Sequence, residues 1–296
     1  GTSEEAVVQV AASVDAQVQQ RVTSWGLYIF TFDANRPVPE VAEQLVTHPA
    51  VRYAEPNQVV EALGLPGSAA DAAILAGAGA RTIVAVIDTG MDLNHSDLID
   101  TLWINAGEIA NDGIDNDGNG FIDDINGFDF WEGNGDPTGS SGSGAHGTQV
   151  AGMVVQGAVD PAVQIMSLRV GPGPGLSLSA IVAALDYAVA NGAQVINMSF
   201  GTFGFSASLN EAVQRAANAG VVLVAAAGNS GTSWNSYPAA LNGVLSVAAT
   251  YTSGRRAYFS NYGNSVDFSA PGYQVTTTTF GGGQAVVSGT SFSSPF

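Results

Sequence analysis

Apolar and polar positions follow two regimes along this chain. Over the first sixty residues the signals are short and mixed. Residues 5–12 repeat apolar positions at helical spacing, 15–22 alternate, 27–32 are strand-like, 39–45 are helical again and 51–54 form a last short strand. This predicts a small α+β unit over 1–60. Residues 61–80, rich in Gly, Ala and Leu with Pro66, predict a connector that contains a short helix. From Arg81 onward, continuous apolar runs alternate with helical periods. Strands are predicted at 82–87, 163–170, 194–198, 221–226 and 244–249, with helices at 148–156, 179–191 and 208–219. Runs of this kind imply parallel βαβ units, hence an α/β domain over 81–296 with a doubly wound, mostly parallel sheet flanked by helices. Such sheets bind ligands beyond the carboxyl ends of their strands. Asp88 and Asn197-Met198-Ser199 fall at those ends, and Asn229 lies just past one.

Composition narrows the function classes. The 296 residues carry 26 acids against eight basic residues, all arginine, for a formal charge of -18. Phosphate binding needs basic surface, so nucleic acid is excluded as an expected partner. No run approaches the roughly 18 to 20 apolar residues of a membrane span. The absence of cysteine removes disulfides, thiol nucleophiles and thiolate metal sites. Gly1-Thr2-Ser3-Glu4-Glu5 has neither the basic nor the apolar segment of a secretory signal.

Three stretches carry candidate chemistry. Val286-Val287-Ser288-Gly289-Thr290-Ser291 runs from an apolar strand into a small-residue turn, and Pro295 suits a first helical turn. That arrangement presents a serine at a helix start. Val84-Ala85-Val86-Ile87-Asp88-Thr89-Gly90 is a buried-strand pattern ending on an acid, and Gly144-Ala145-His146-Gly147-Thr148 holds a histidine in a glycine-rich turn. A serine needs a base to take its proton, and that base needs a carboxylate to fix its tautomer. The order acid, histidine, serine separates this set from chymotrypsin and from α/β-hydrolases, and no G-x-S-x-G is present. His48 reads as a surface helix cap and His95 as structural.

With these motifs the chain resembles the subtilisin-like serine peptidases, the subtilase family. The resemblance implies a nucleophile at Ser291, a base at His146, an orienting acid at Asp88, and an oxyanion donor at Asn229 in Ala227-Gly228-Asn229-Ser230. It also implies that Ser199-Phe200-Gly201 pairs with an extended polypeptide substrate and lines the pocket for the residue before the cut. Tyr237-Pro238-Ala239, with a cis proline, would border the far side. Residues 1–60 would be a partial, ferredoxin-like propeptide acting as intramolecular inhibitor, severed in the connector by the enzyme itself, and the enzyme would be secreted. In the family a long helix follows the nucleophile; an ending at Phe296 predicts little peptidase activity for the chain as given.

The clearest metal signal is Asp115-Asn116-Asp117-Gly118-Asn119-Gly120-Phe121-Ile122-Asp123-Asp124. Acids or amides at positions one, three and five, with glycine at six, match the opening of a calcium loop. Asp115, Asp117, Asn119, the Phe121 carbonyl, Asp123 and Asp124 are the expected Ca2+ ligands, in a variant loop because its twelfth position is Asn126. A solvated acidic loop is the plain alternative. Many subtilases carry a similar insertion, whereas a calcium role for Asp97 is in doubt because the chain is short before Ile165. The non-enzymatic alternative is a calcium-bound adhesion or pseudo-peptidase module.

Overall fold

The computed structural model describes residues 4–23, 26–62, 65–66, 82–158 and 162–296. The N-terminal unit contains α1 (Glu4–Ser13), β1 (Ala16–Arg21), β2 (Tyr28–Phe32) and α2 (Val38–Val46), with β1 and β2 antiparallel. Val10, Val14, Val41 and Leu45 pack into its small core. The expected strand at 51–54 does not form. Its backbone has no neighbouring strand among the described residues, since β1 pairs only with β2. Pairing shifts downstream to β3 (Val59–Ala62) and β4 (Leu65–Pro66). The connector helix falls outside the described residues.

The larger unit follows the predicted alternation. Its elements are β5 (Ile83–Asp88), β6 (Gly127–Asp129), α3 (His146–Gly157), β7 (Gln164–Arg169), β8 (Gly175–Ser177), α4 (Leu178–Ala190), β9 (Val195–Met198), β10 (Phe200–Gly201), α5 (Ala207–Asn218), β11 (Val222–Ala226), β12 (Val244–Thr250), β13 (Phe268–Pro271), β14 (Val275–Thr278) and β15 (Gln284–Ser288). Seven of these strands form one parallel sheet in the order β13-β12-β11-β9-β5-β7-β6. Helices α4 and α5 cover one face, around Ile181, Leu185, Leu209 and Val213, and α3 covers the other with Val150, Val154 and Phe292. Strand order reverses at β5, which has β7 on one side and β9 on the other. Asp88 ends that strand, so the acid stands where a doubly wound sheet opens its ligand crevice.

Two small sheets complete the site. In one, β3 lies antiparallel between β10 and β8; in the other, β4 lies antiparallel to β15, which also pairs with β14. No helix among the described residues is long and apolar enough to cross a membrane.

Candidate active site

Each candidate side chain is held at the end of a regular element. Helix α3 begins at His146, and Gly147 follows because only a hydrogen fits there: an added Cβ would lie 2.2 Å from the Gly90 carbonyl oxygen and 3.3 Å from the Asp88 Cβ. This close approach brings the start of α3 onto the loop after β5. His146 Nδ1 then lies 2.7 Å from Asp88 Oδ1, which also accepts from the Thr89 N–H at 2.7 Å. The geometry makes Nδ1 the protonated nitrogen and leaves Nε2 as the basic one. Among the described residues His146 Nε2 and Asp88 Oδ2 are buried without a hydrogen-bond partner.

Ser291 sits in a 3-10 turn spanning Thr290–Phe292, fully buried, and the Phe292 ring lies 5.6 Å from the His146 ring. Its Oγ donates to the Ser199 carbonyl at 2.9 Å, while Ser199 Oγ donates to the Ser291 carbonyl at 2.8 Å and accepts from Asn197 Nδ2 at 2.8 Å. The serine hydroxyl is thus turned toward Ser199. Asn229 comes from the turn after β11, where Gly228 takes φ +107° and passes within 2.4 Å, at an added Cβ, of the Asn261 amide. Asn229 Oδ1 accepts from both the Thr290 N–H and Oγ1 at 2.9 Å, so its Nδ2 is the end turned away from Thr290.

Ser199 and its two neighbours divide their work. Ser199 is buried under the serine turn; Phe200 places its ring in the core and gives its backbone, with Gly201, to β3. Ala62 pairs with Phe200 and Glu61 with Gly201, while on the opposite edge Val59, Val60 and Glu61 pair with Ser177, Leu176 and Gly175. The second wall, β8, escaped the sequence reading. Its signal was the run Gly171-Pro172-Gly173-Pro174-Gly175 before Ser177, whose hydroxyl caps α4. Beyond the serine, Leu65 pairs with Ser288 and Pro66 with Val287. The chain's own residues therefore lie in register on both sides of Ser291. The Val60 side chain is fully buried there. A cleft of about 450 Å3 adjoins His146, lined also by Ser143, Gln149, Val287 and Phe292. The Tyr237-Pro238 bond is cis, and Tyr237 bridges Thr202 beside β10.

The N-terminal unit is tied down at the starts of two helices. The Glu55 carboxylate accepts from the Ala207 N–H at 2.9 Å, the Ser208 N–H at 3.0 Å, Ser206 Oγ at 2.9 Å and the Ser208 hydroxyl. Asn57 Oδ1 accepts from the Ser179 N–H at 3.2 Å. Arg52 pairs with Glu211, which also receives the Tyr53 hydroxyl at 3.4 Å. Burial, with Glu211 and Glu55 nearby, pushes the Tyr53 hydroxyl up to about 12.

The six expected calcium ligands lie between residues 115 and 124 in one acidic loop. Asp115 and Asp117 gather with Glu108, their carboxylate oxygens lying within 4.8 Å of one another. Glu108, absent from the sequence reading, also accepts from the N–H groups of Asn116, Asp117 and Asp123. Asn119 Nδ2 donates to Asp117 and Asp124. Asp123 turns to the N–H groups of Asp112 and Gly113, and Asp124 is fully buried, accepting from Asn105 at 2.9 Å and from the Tyr187 hydroxyl at 2.5 Å. Burial raises the Asp124 carboxyl above its ordinary range against these donors, and burial and Asp124 raise the Tyr187 hydroxyl likewise. Phe121 packs its ring against Phe128 and Tyr187, at 4.8 and 4.9 Å. His95 is buried, with Nε2 2.9 Å from the Gly283 carbonyl oxygen, and Asp97 lies exposed beside it.

Comparison with known proteins agrees with this architecture. Residues 79–296 match the subtilase family model, and residues 2–57 match the fervidolysin N-terminal prodomain model. The chain is 34% identical over 282 residues to a thermophilic serine proteinase of Bacillus sp. (strain AK1), an alignment covering 87% of this chain and 64% of that relative. It is 32% identical to thermitase of Thermoactinomyces vulgaris over 75% of this chain and 73% of thermitase. The chain thus spans slightly under two thirds of the first of these relatives. Among solved structures, a cold adapted subtilisin-like serine proteinase superposes with a TM-score of 0.58 at 32% identity, covering 72% of this chain and 71% of that one. With a seven-stranded parallel sheet, an acid at its switch point and a family match over residues 79–296, this chain belongs to the subtilase family.

Proposed function

We propose that the protein is the precursor of a serine endopeptidase whose first substrate is its own chain. One observation carries this reading. Residues 59–62 and 65–66 are strand-paired to the two sides of the Ser291 turn, as an extended peptide under attack would be. The bond cleaved is one of the three between Ala62 and Leu65.

The chemistry follows from the site. Ser291 Oγ turns about its Cα–Cβ bond from the Ser199 carbonyl toward His146 and attacks the carbonyl carbon while Nε2 takes its proton. Asp88 holds the Nδ1–H and stabilises the imidazolium. The oxyanion forms toward Asn229 Nδ2 and the Ser291 N–H, donors fixed before reaction. Collapse expels the amine, which receives the proton from Nε2, and leaves an acyl-serine. Water, deprotonated by the same nitrogen, then releases the new carboxyl terminus. After the cut the N-terminal unit stays docked through Glu55 and β3 and acts as inhibitor, until polypeptide substrates replace it. A self-inhibited precursor suits an enzyme that works outside the cell.

Calcium belongs to the same proposal. Three carboxylates within 4.8 Å repel one another, and hard oxygen donors of this kind suit Ca2+. Glu108, Asp115 and Asp117 would hold it, and its charge would offset theirs. A non-catalytic calcium module gains no support from this geometry.

The test is maturation of the full-length precursor. The wild type should yield a new N-terminus at Leu63, Gly64 or Leu65 by intact mass and N-terminal sequencing, and Ser291→Ala should stay uncut. Maturation of the purified alanine variant, or a first cut elsewhere, would defeat the reading.

A further inference from the structure

The bound segment does not end at Val60, and neither does the wall beside it. The Gln58 carbonyl accepts from the Leu178 N–H at 3.0 Å, which fixes this residue in the groove at the start of α4. Its side chain crosses to the opposite wall, where Oε1 lies 3.0 Å from the place a Cβ on Gly204 would occupy. Gly204 belongs to the continuation of β10. That continuation carries Phe203 and Phe205, each facing a partner from the neighbouring loop: Phe203 meets Trp234 edge-to-face at 6.1 Å, and Phe205 meets Tyr237 at 5.7 Å. The loop is fixed by backbone hydrogen bonds between Thr202 and Tyr237 of 3.0 and 2.8 Å. Phe203, Phe205 and Trp234 nevertheless remain 54%, 56% and 70% exposed with the segment in place.

An aromatic surface of this extent, rimmed by a substrate groove, marks a binding site for apolar groups. We propose that Phe203 and Trp234, supported by Phe205 and Tyr237, form an outer subsite that selects substrates with an aromatic or large aliphatic residue two positions before the one seated in the Val60 pocket. The place is the one Gln58 now fills, against Gly204 between the two phenylalanines, where the missing side chain leaves room for a larger substituent. Gln58 is polar, and Phe203, Phe205 and Trp234 all stay more than half exposed with it in place. The chain's own segment is therefore a poorer occupant of this subsite than a substrate with Phe or Leu at that position. Extended polypeptides of apolar sequence are the class the groove would prefer.

This inference rests on the peptidase reading, and the experiment separates the two. The matured full-length enzyme is given two quenched fluorescent peptides, identical except for Phe or Ser at the Gln58-equivalent position, and kcat/KM is measured for each. The expected ratio favours Phe by on the order of tenfold, the scale of one added aromatic contact, and lies mainly in KM. In Phe203→Ser and Trp234→Ser the ratio should fall to about twofold or less, while Trp234→Tyr should keep most of it. Equal cleavage of the two peptides by the wild type, or an undiminished ratio in both serine variants, would overturn the subsite and leave the peptidase standing. Failure to cut either peptide would overturn both.

Discussion

Replacing Glu55 tests how the N-terminal unit is held. Its carboxylate takes the N–H groups of Ala207 and Ser208, two donors that helix α5 cannot satisfy internally, while Ser206 Oγ takes the third from Leu209 at 3.1 Å. Hydrogen bonds to a charged group contribute roughly 1.5–3 kcal/mol net, and an anion at a helix start roughly 0.3–1 kcal/mol. Because Glu55 is only half-buried, water replaces part of this in Glu55→Ala. A loss of about 2–3 kcal/mol remains, or roughly 30- to 150-fold at 1.4 kcal/mol per decade. Hydrogen exchange on the uncleaved Ser291→Ala precursor reads this directly. The amides of Ala207 and Ser208 should exchange faster by that factor, Glu55→Gln should fall between, and Leu209 should keep its protection through Ser206. Unchanged exchange at Ala207 and Ser208 would show that Glu55 does not cap the helix and that the docking argument is wrong.

Three further outcomes follow from the same structure. Since the Tyr53 hydroxyl is raised from 10.0 to about 12 by burial and then by Glu211 and Glu55, the folded precursor resists losing that proton. Its stabilising contribution is complete below pH 10 and is lost as pH rises to about 12; a Tyr53→Phe precursor should lack this loss in urea melts taken across that window. Tyr187→Phe removes one donor from buried Asp124 and should cost about 1.5–3 kcal/mol in urea unfolding at neutral pH. The cost should shrink in acid as Asp124 takes up a proton, and a pH-independent cost would refute the pairing. Calcium should raise the melting temperature of the wild type, and Asp115→Asn with Asp117→Asn should abolish the rise; a melting curve indifferent to calcium and chelator would remove the site.

Five of the sheet's seven strands were legible because they announce themselves locally, whereas the short edge strands β6 and β13 were not. Residues 83–88, 164–169, 195–198, 222–226 and 244–250 are apolar runs bounded by turns, and each prediction fell within one or two residues of the element formed. The candidate chemistry was legible for a related reason: Asp88 ends a strand, His146 begins a helix and Asn229 lies just past a strand, each within two residues of a glycine that the geometry requires. What stayed hidden depends on partners far away in sequence. Strand β8 is three residues long and exists only because β3, more than a hundred residues earlier, lies beside it. Residues 51–54 have β propensity but no neighbouring strand among the described residues, so propensity lost to pairing. Glu108 joins Asp115 and Asp117 across a loop without periodicity, which no spacing rule captures. The orientation of Ser291 toward Ser199 is a choice of rotamer, invisible in a residue pattern.

The position of β3 between β10 and β8 has a consequence for what the cleared groove accepts. When that strand departs, it leaves a slot with hydrogen-bonding backbone along both rims, one rim three residues long and the other two. A guest must offer donors and acceptors on both of its edges at once. A helix has already spent them internally, and a strand inside a sheet has spent at least one side on its neighbour. On the proposed peptidase reading the slot would discriminate by conformation before any side chain is read, passing over native domains and admitting linkers, termini and unfolding segments. Susceptibility of a target would track how often some four residues of it come free, a property of the target's own folding equilibrium.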